Sequence, residues 1–277
     1  MSATKPAEIG PPIPSATILL LRDSDRGLEV FMVKRHHQID FASGALVFPG
    51  GKVDPGDMDP ALGSRCAGAE HFREHGLGYA VAAIREAFEE SGVLLARGRG
   101  YGELITGDRL TEIRVKYRDD IASGVGTLAD MVADEDLILA CDLLVPFAHW
   151  VTPEIVPKRF ETRFFLVGAH DDHRPEHDGS ESVDSLWIRP ADALTAAEDG
   201  DAVIVFPTRL NLEKLARANT VAEAIEKARR EPIVRVLPTV FNTDQGAWLR
   251  IPDDVGYETI EGPVDPVLAR MKPKTSI

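Results

Sequence analysis

One short run constrains this chain more than any other: Arg85-Glu86-Ala87-Phe88-Glu89-Glu90-Ser91-Gly92-Val93. The periodicity predicts a helix from Tyr79 to Leu95, with Val81, Ile84, Phe88 and Leu95 apolar and acids between them. Glu86, Glu89 and Glu90 then stand at i, i+3 and i+4, on one face and within about 6 Å of each other. Like charges so placed cost roughly 0.2–0.5 kcal/mol per pair. Taken alone, the run suits a solvated acidic face. Only its context in the chain favours the other reading, a set of hard oxygen ligands for Mg²⁺, an ion that keeps some of its waters and bridges to substrate phosphates.

The surrounding chain predicts a mixture of strands and helices. Ser15–Leu21 and Leu28–Lys34 read as a hairpin across a polar turn. Ala45–Phe48 is a third strand, ended by Pro49-Gly50-Gly51, whose glycines let backbone approach a ligand or metal closely. Val53–Gly76 shows no periodicity and reads as a loop. Thr111–Ile121 and Thr127–Leu139 read as polar-faced helices, and Leu143–Val151 as a strand. Arg159–Val167 alternates, with Arg159, Glu161, Arg163 and Phe165 on one face. Val183–Ile188 is a further strand. Helices follow at Pro190–Glu198, Pro207–Ala218 and Val221–Arg230, and late strands at Ile233–Val240 and Ala247–Ile251. The fold class is therefore α+β or α/β. We divide the chain into a Pro-rich flexible arm (1–14), a main domain (15–240) with insertions at about 58–78 and 100–140, and a C-terminal extension (241–277).

The glycine turn and the acidic helix together resemble the Nudix hydrolase family, whose signature is G, five residues, E, seven residues, then R-E-U-x-E-E-x-G-U, with U aliphatic. Gly51 takes the first position, Asp57 stands where Glu is usual, and Arg85 to Val93 supply the rest, with Ala87 in place of a bulky aliphatic. Met58 to Ile84 fill the place of seven residues, so an insertion splits the box while leaving both halves whole. Lengthening a loop costs only about 0.6 kcal/mol per doubling. The resemblance implies an α/β/α sandwich with a mixed sheet and extra helical insertions. It also implies hydrolysis of a diphosphate linkage with Mg²⁺ or Mn²⁺.

A split box, with Trp150-Val151-Thr152-Pro153-Glu154 and Lys158 to Phe165 beyond it, resembles the coenzyme A diphosphatase branch of that family. That branch implies cleavage of coenzyme A or acyl-coenzyme A to 3′,5′-ADP and an (acyl) 4′-phosphopantetheine. Its upstream motif, R-S-x-x-x-R-x-x-x-G, keeps Arg35 and Gly44 here, but His36 replaces Ser and Asp40 replaces the second Arg. ADP-ribose, NADH or a nucleotide sugar therefore stays open as the substrate. So does a non-catalytic ligand-binding regulator, although such a module would be expected to lose helix acids.

Carried over residue by residue, the resemblance makes Glu86, Glu89, Glu90 and the Gly51 carbonyl the metal ligands. Arg85 orients a helix carboxylate. The general base varies in the family; Glu181, in a Gly-Ser loop before a strand, is the candidate outside the helix, with Glu86 as the alternative. Arg35, Arg159 and Arg163 are candidate phosphate contacts, because guanidinium forks match phosphate oxygens. For Arg159 and Arg163 a strand's solvated face is the competing reading. His170, His173 and His177 read as a solvated loop rather than a second metal site, and Trp150, Trp187 and Phe88 as core.

Partners narrow on bulk properties. A formal net charge of −14 argues against nucleic acid, whose phosphates need a basic stripe. It leaves room for a small-molecule diphosphate held locally. No apolar run approaches the ~20 residues of a membrane span. Cys66 and Cys141 lack metal-type spacing and fit a reducing cytoplasm. Thr275-Ser276-Ile277 is not a peroxisomal address, so a cytoplasmic location is expected. The insertions offer surface that could serve a homodimer.

Overall fold

The computed structural model describes residues 10–35, 44–73, 76–100, 102–156, 158–170 and 182–264, with Arg35, Ser182 and Val183 described through their backbone alone. A mixed sheet forms the middle layer. Its strands are β1 (Ile13–Ser24), β2 (Gly27–Arg35), β3 (Leu46–Val47) and β4 (Gly50–Lys52). A short helix, α1 (Pro60–Gly63), and the main helix, α2 (Leu77–Glu86), follow. Next come β5 (Ala96–Gly98), α3 (Gly107–Ala122), α4 (Leu128–Asp134) and β6 (Leu137–Leu139). The chain returns to the sheet with β7 (Val145–Val151), β8 (Phe160–Gly168) and β9 (Ser182–Ile188). Helices α5 (Pro190–Glu198), α6 (Phe206–Leu215) and α7 (Val221–Arg230) precede β10 (Arg235–Val236), β11 (Thr239–Thr243), β12 (Gly246–Arg250) and β13 (Glu261–Pro263). The sheet order is β10-β7-β8-β1-β2-β3, with β4 pairing β1 and β9 pairing β2. β1 runs parallel to β8 and β10 parallel to β7; the remaining pairs of this sheet are antiparallel.

Alternation along the strands divides the core in two, because successive side chains point to opposite faces. Ala16, Ile18, Leu20, Phe31, Val33, Phe165 and Val167 face α2 and the insertions. Leu19, Leu21, Val30, Met32, Phe164 and Leu166 face α5, α6, α7 and the C-terminal strands. The result is a three-layer α/β/α sandwich, as expected.

Three expectations are corrected. The stretch from Val53 to Gly76 is not a plain loop. It carries two 3₁₀ turns and α1, and it pins Leu62 and Phe72 into the core at 2% exposure each. Single anchors on one-turn elements leave no periodicity to read. It also docks on the second insertion: the Leu139 amide donates to the Arg65 carbonyl (2.8 Å) and the Ala67 amide to the Leu139 carbonyl (2.9 Å). Arg65 Nη1 reaches Asp136 Oδ1 at 2.9 Å. Next, residues 241–264, read as part of a C-terminal extension outside the main domain, pack into it: Leu249, Ile251, Val255 and Tyr257 are buried in the second core. There Trp150 Nε1 donates to the Tyr257 hydroxyl (2.9 Å), which donates to Asn211 Oδ1 (2.7 Å). Finally, strand pairing begins at Ile13, inside the supposed arm, against Phe160. Trp150 and Phe88 are buried as read, and Trp187 packs edge-on against Phe31.

Candidate active site

Helix α2 is not amphipathic in the ordinary sense: every residue from Ala80 to Glu86 is buried. The sheet covers one side and the insertions the other. After Glu86 the chain widens into a π turn, Ala87–Ser91, closed by Gly92 at φ 69°. The long α-helix expected to run on to Leu95 therefore ends early. π turns inside helices are frequent at functional sites. Helix α3 braces this one: Arg118 Nε donates to the Glu89 carbonyl (2.8 Å), and a Cβ on Gly92 would lie 2.7 Å from Arg114 Nε.

Burial removes the reading of a solvated acidic face. Glu86 is 7% and Glu90 8% exposed. A buried charge is costly unless paired and hydrogen-bonded. Glu90 Oε2 accepts the Gly50 amide at 3.1 Å. Glu86 lies so close to Gly51 that a Cβ there would stand 2.3 Å from its Oε1. The two glycines thus bring β4 backbone against the helix carboxylates.

Arg85 is the cation of the assembly. Its Nε and Nη2 fork onto Asp57 (2.9 and 3.1 Å), Nη2 also donates to the Lys52 carbonyl (2.7 Å), and Nη1 reaches Glu89 Oε1 (2.9 Å) and Glu86 Oε1 (3.0 Å). Asp54 is 3.8 Å away. Asp57 takes the place of the signature Glu. The 3₁₀ turn Pro55–Met58 carries it inward to 3% exposure, where it also accepts the Asp54 amide (2.8 Å). One guanidinium therefore faces four carboxylates, two of them nearly closed off from water. Burial pushes Glu86 up to about 8, with Arg85 opposing and Glu89 adding to the shift. Burial likewise raises Glu89 and Asp57, against the pull of Arg85.

Among the described residues, no three acid, His or Cys side chains converge as a complete metal cage. Mg²⁺ does not require one: it is usually held by one or two carboxylates together with waters and substrate phosphates. The donor set fits such an ion on two counts. Carboxylate oxygens are packed against bare glycine backbone, and their negative charge exceeds what Arg85 offsets. Gly51→Ala should test the cradle: the added methyl must displace Glu86, with a stability loss of about 1–3 kcal/mol. The Mg²⁺ concentration for half-maximal activity should rise, and an unchanged metal requirement would remove Gly51 from the site.

The other candidates are placed differently. Arg163, on β8, lies over the Tyr79 ring of α2 (4.9 Å to the centroid), on the site's face of the sheet. Arg159 is 6% exposed, just before β8. It donates from Nε to the Thr152 carbonyl (3.0 Å) and lies 3.4 Å from Glu154, so it braces the β7–β8 connection. His170 is exposed. Glu181, His36, Asp40, His173, His177 and the side chain of Arg35 lie outside the described residues. The sequence alone assigns no role to His149, Glu161 or Arg235. Nε2 of His149 lies 2.8 Å from Glu161 Oε1, which also accepts from Arg235 Nε (3.2 Å). Glu161 was legible on its strand face, but only strand register brings the other two beside it. No described helix is long and apolar enough to cross a membrane.

Comparison with known proteins agrees with this geometry. The family model described as the NUDT19 Nudix domain matches residues 74–215, just over half of the chain. The glycine turn lies upstream of that range and joins it through the Glu86–Gly51 contact. Nudix hydrolase 7 of Caenorhabditis elegans is 28% identical over 203 residues, 73% of this chain and 60% of that protein, so the chain spans less than two thirds of that relative. The acyl-coenzyme A diphosphatase NUDT19 of Xenopus laevis is 24% identical over 285 residues, covering 88% of this chain and 74% of that one. A crystal structure of a Nudix hydrolase from Alicyclobacillus acidocaldarius superposes with a TM-score of 0.70 at 27% identity, covering 81% of this chain and all of that one. The buried acids, the arginine clamp, the glycine turn and the fold converge with these matches: the chain belongs to the Nudix hydrolase family, in its NUDT19-type branch.

Proposed function

We propose that this protein hydrolyses the diphosphate linkage of coenzyme A or acyl-coenzyme A, giving 3′,5′-ADP and (acyl) 4′-phosphopantetheine. The observation that carries the hydrolytic reading is the set of buried carboxylates held against glycine backbone with a single guanidinium among them. The substrate reading rests on the resemblance to the acyl-coenzyme A diphosphatases. Glu86, Glu89, Glu90 and the Gly51 carbonyl are the proposed holders of Mg²⁺ or Mn²⁺. When bound, such an ion supplies Lewis acidity toward a phosphoryl oxygen and toward a water nucleophile. Arg85 keeps Glu86 and Glu89 in place, and Asp57 keeps Arg85 in place. All three helix acids are retained, which argues against a merely ligand-binding module.

Glu181 is proposed as the general base. Glu181→Gln should lower kcat at least tenfold with little change in KM, in line with the loss of a positioned base. An effect below about threefold would move the role to a helix carboxylate such as Glu86. Arg35 is proposed to contact substrate phosphate. Asp40, where the branch has its second Arg, favours testing other diphosphates beside coenzyme A. The deciding experiment is a Mg²⁺-dependent panel of coenzyme A, acetyl-coenzyme A, ADP-ribose, NADH and a nucleotide sugar, with products identified by mass. Higher kcat/KM for any of the last three than for every coenzyme A species would overturn the substrate reading and leave the chemistry standing.

A further inference from the structure

Strand register carries the site further across the sheet than its family signature does. Arg235 on β10 pairs with His149 on β7, His149 with Arg163 on β8, Arg163 with Ala16 on β1, and Ala16 with Gly51 on β4. Directly paired residues present their side chains to the same face. That face is the one Gly51 turns to Glu86 and the one from which Arg163 meets Tyr79, both on α2. At strand spacings of about 4.8 Å, Arg163 stands about 10 Å from Gly51, and Arg235 about 19 Å.

Deeper in the core this face is apolar, as at Ile18 and Phe165. Here it becomes basic. One guanidinium, that of Arg235, and the His149 imidazole gather on the Glu161 carboxylate, and Arg163 stands beside His149 in the register. His149 is 8% exposed and the Arg235 side chain 48% exposed. The exposed i, i+4 pairs on α7 are of the kind that contributes little. This group is different: it spans three strands and is partly buried, in a chain of net charge −14.

We propose that Arg163, set over Tyr79, and Arg235, held beside His149 by Glu161, form an anion subsite for a phosphomonoester that the diphosphate substrate carries away from its scissile bond. The proposal rests on the diphosphate reading above for the location of that bond. A phosphomonoester brings nearly two negative charges and three acceptor oxygens, which guanidinium forks match. Glu161 is a positioning residue here: it holds Arg235 and His149 and touches no substrate.

The test compares 3′,5′-ADP with 5′-AMP, which differ by one phosphomonoester, titrated calorimetrically into the full chain without metal. The wild type should bind 3′,5′-ADP at least tenfold more tightly. Arg235→Ala, at an exposed position that leaves the fold intact, should remove most of that preference without changing the affinity for 5′-AMP. Arg163→Ala should do the same, and Glu161→Gln should weaken it partly. Equal affinity of the wild type for the two nucleotides, or equal weakening of both by Arg235→Ala, overturns the subsite. A preference that Arg235→Ala removes, in an enzyme that fails to cleave coenzyme A, keeps the subsite and overturns only the substrate reading.

Discussion

Glu90→Gln is expected to lower kcat by roughly 10²–10³-fold, the scale on which one group stabilising transition-state charge is missed. The substitution is nearly isosteric. The glutamine carbonyl oxygen can still accept the Gly50 amide that Glu90 Oε2 accepts at 3.1 Å, so the π turn keeps its tie to β4. What disappears is one negative charge beside the glycine backbone. Wild-type activity should vanish with a chelator and return with Mg²⁺ or Mn²⁺, while the variant should respond weakly to either. Circular dichroism and the thermal midpoint should stay close to wild type. Near-normal turnover in a folded Glu90→Gln protein would remove Glu90 from the metal site.

Arg85→Ala is expected to act on stability first. It leaves Asp57, Glu86 and Glu89 in their buried places without their shared cation, a loss of about 3–5 kcal/mol for a buried pair broken on one side. A thermal midpoint lower by about 6 °C or more should follow. Lysine should rescue little, because a single ammonium cannot reproduce the fork onto Asp57 together with the reach to Glu89 and the Lys52 carbonyl. The pH dependence has a definite sign. Burial already raises Glu86 from 4.5 to about 8, and removing Arg85 raises it further. An acid whose folded pKa is raised favours the folded state when protonated, so the gap between variant and wild type should be smallest below pH 4.5 and should widen as pH rises through 8. A gap independent of pH, or one below 1 kcal/mol, would contradict the clamp.

Much of this arrangement was legible before any coordinates. Local spacing names Glu86, Glu89 and Glu90, and two adjacent glycines after a strand name the place where backbone approaches them. The burial of those acids was not legible. It depends on contacts between distant segments: β4 backbone against Glu86 and Glu90, Asp57 and Arg85 beside them, and the α3 arginines that meet the π turn. The π turn itself leaves the apolar spacing helical, so the pattern reads as unbroken α-helix. Asp57 looked like a plain departure from the signature, although the 3₁₀ turn that brings it to Arg85 makes up for its shorter side chain. The Arg235–His149–Arg163 row is a matter of register between distant strands, and no single stretch contains it.

The docking of the first insertion on the second has a consequence for how such a chain can be altered. Cys66 bridges Leu139 at the end of β6, through the Arg65 carbonyl and the Ala67 amide, and Leu62 and Phe72 share one core with Met131, Leu137 and Leu139. Trimming residues 58–76 to the short form of the box would remove the bridge at Leu139 and take Leu62 and Phe72 out of the core they share with α4. Trimming 100–140 would take Met131, Leu137 and Leu139 out of the core that Leu62 and Phe72 share. The two stretches are therefore one graft in two pieces, to be transplanted, shortened or exchanged between relatives only together.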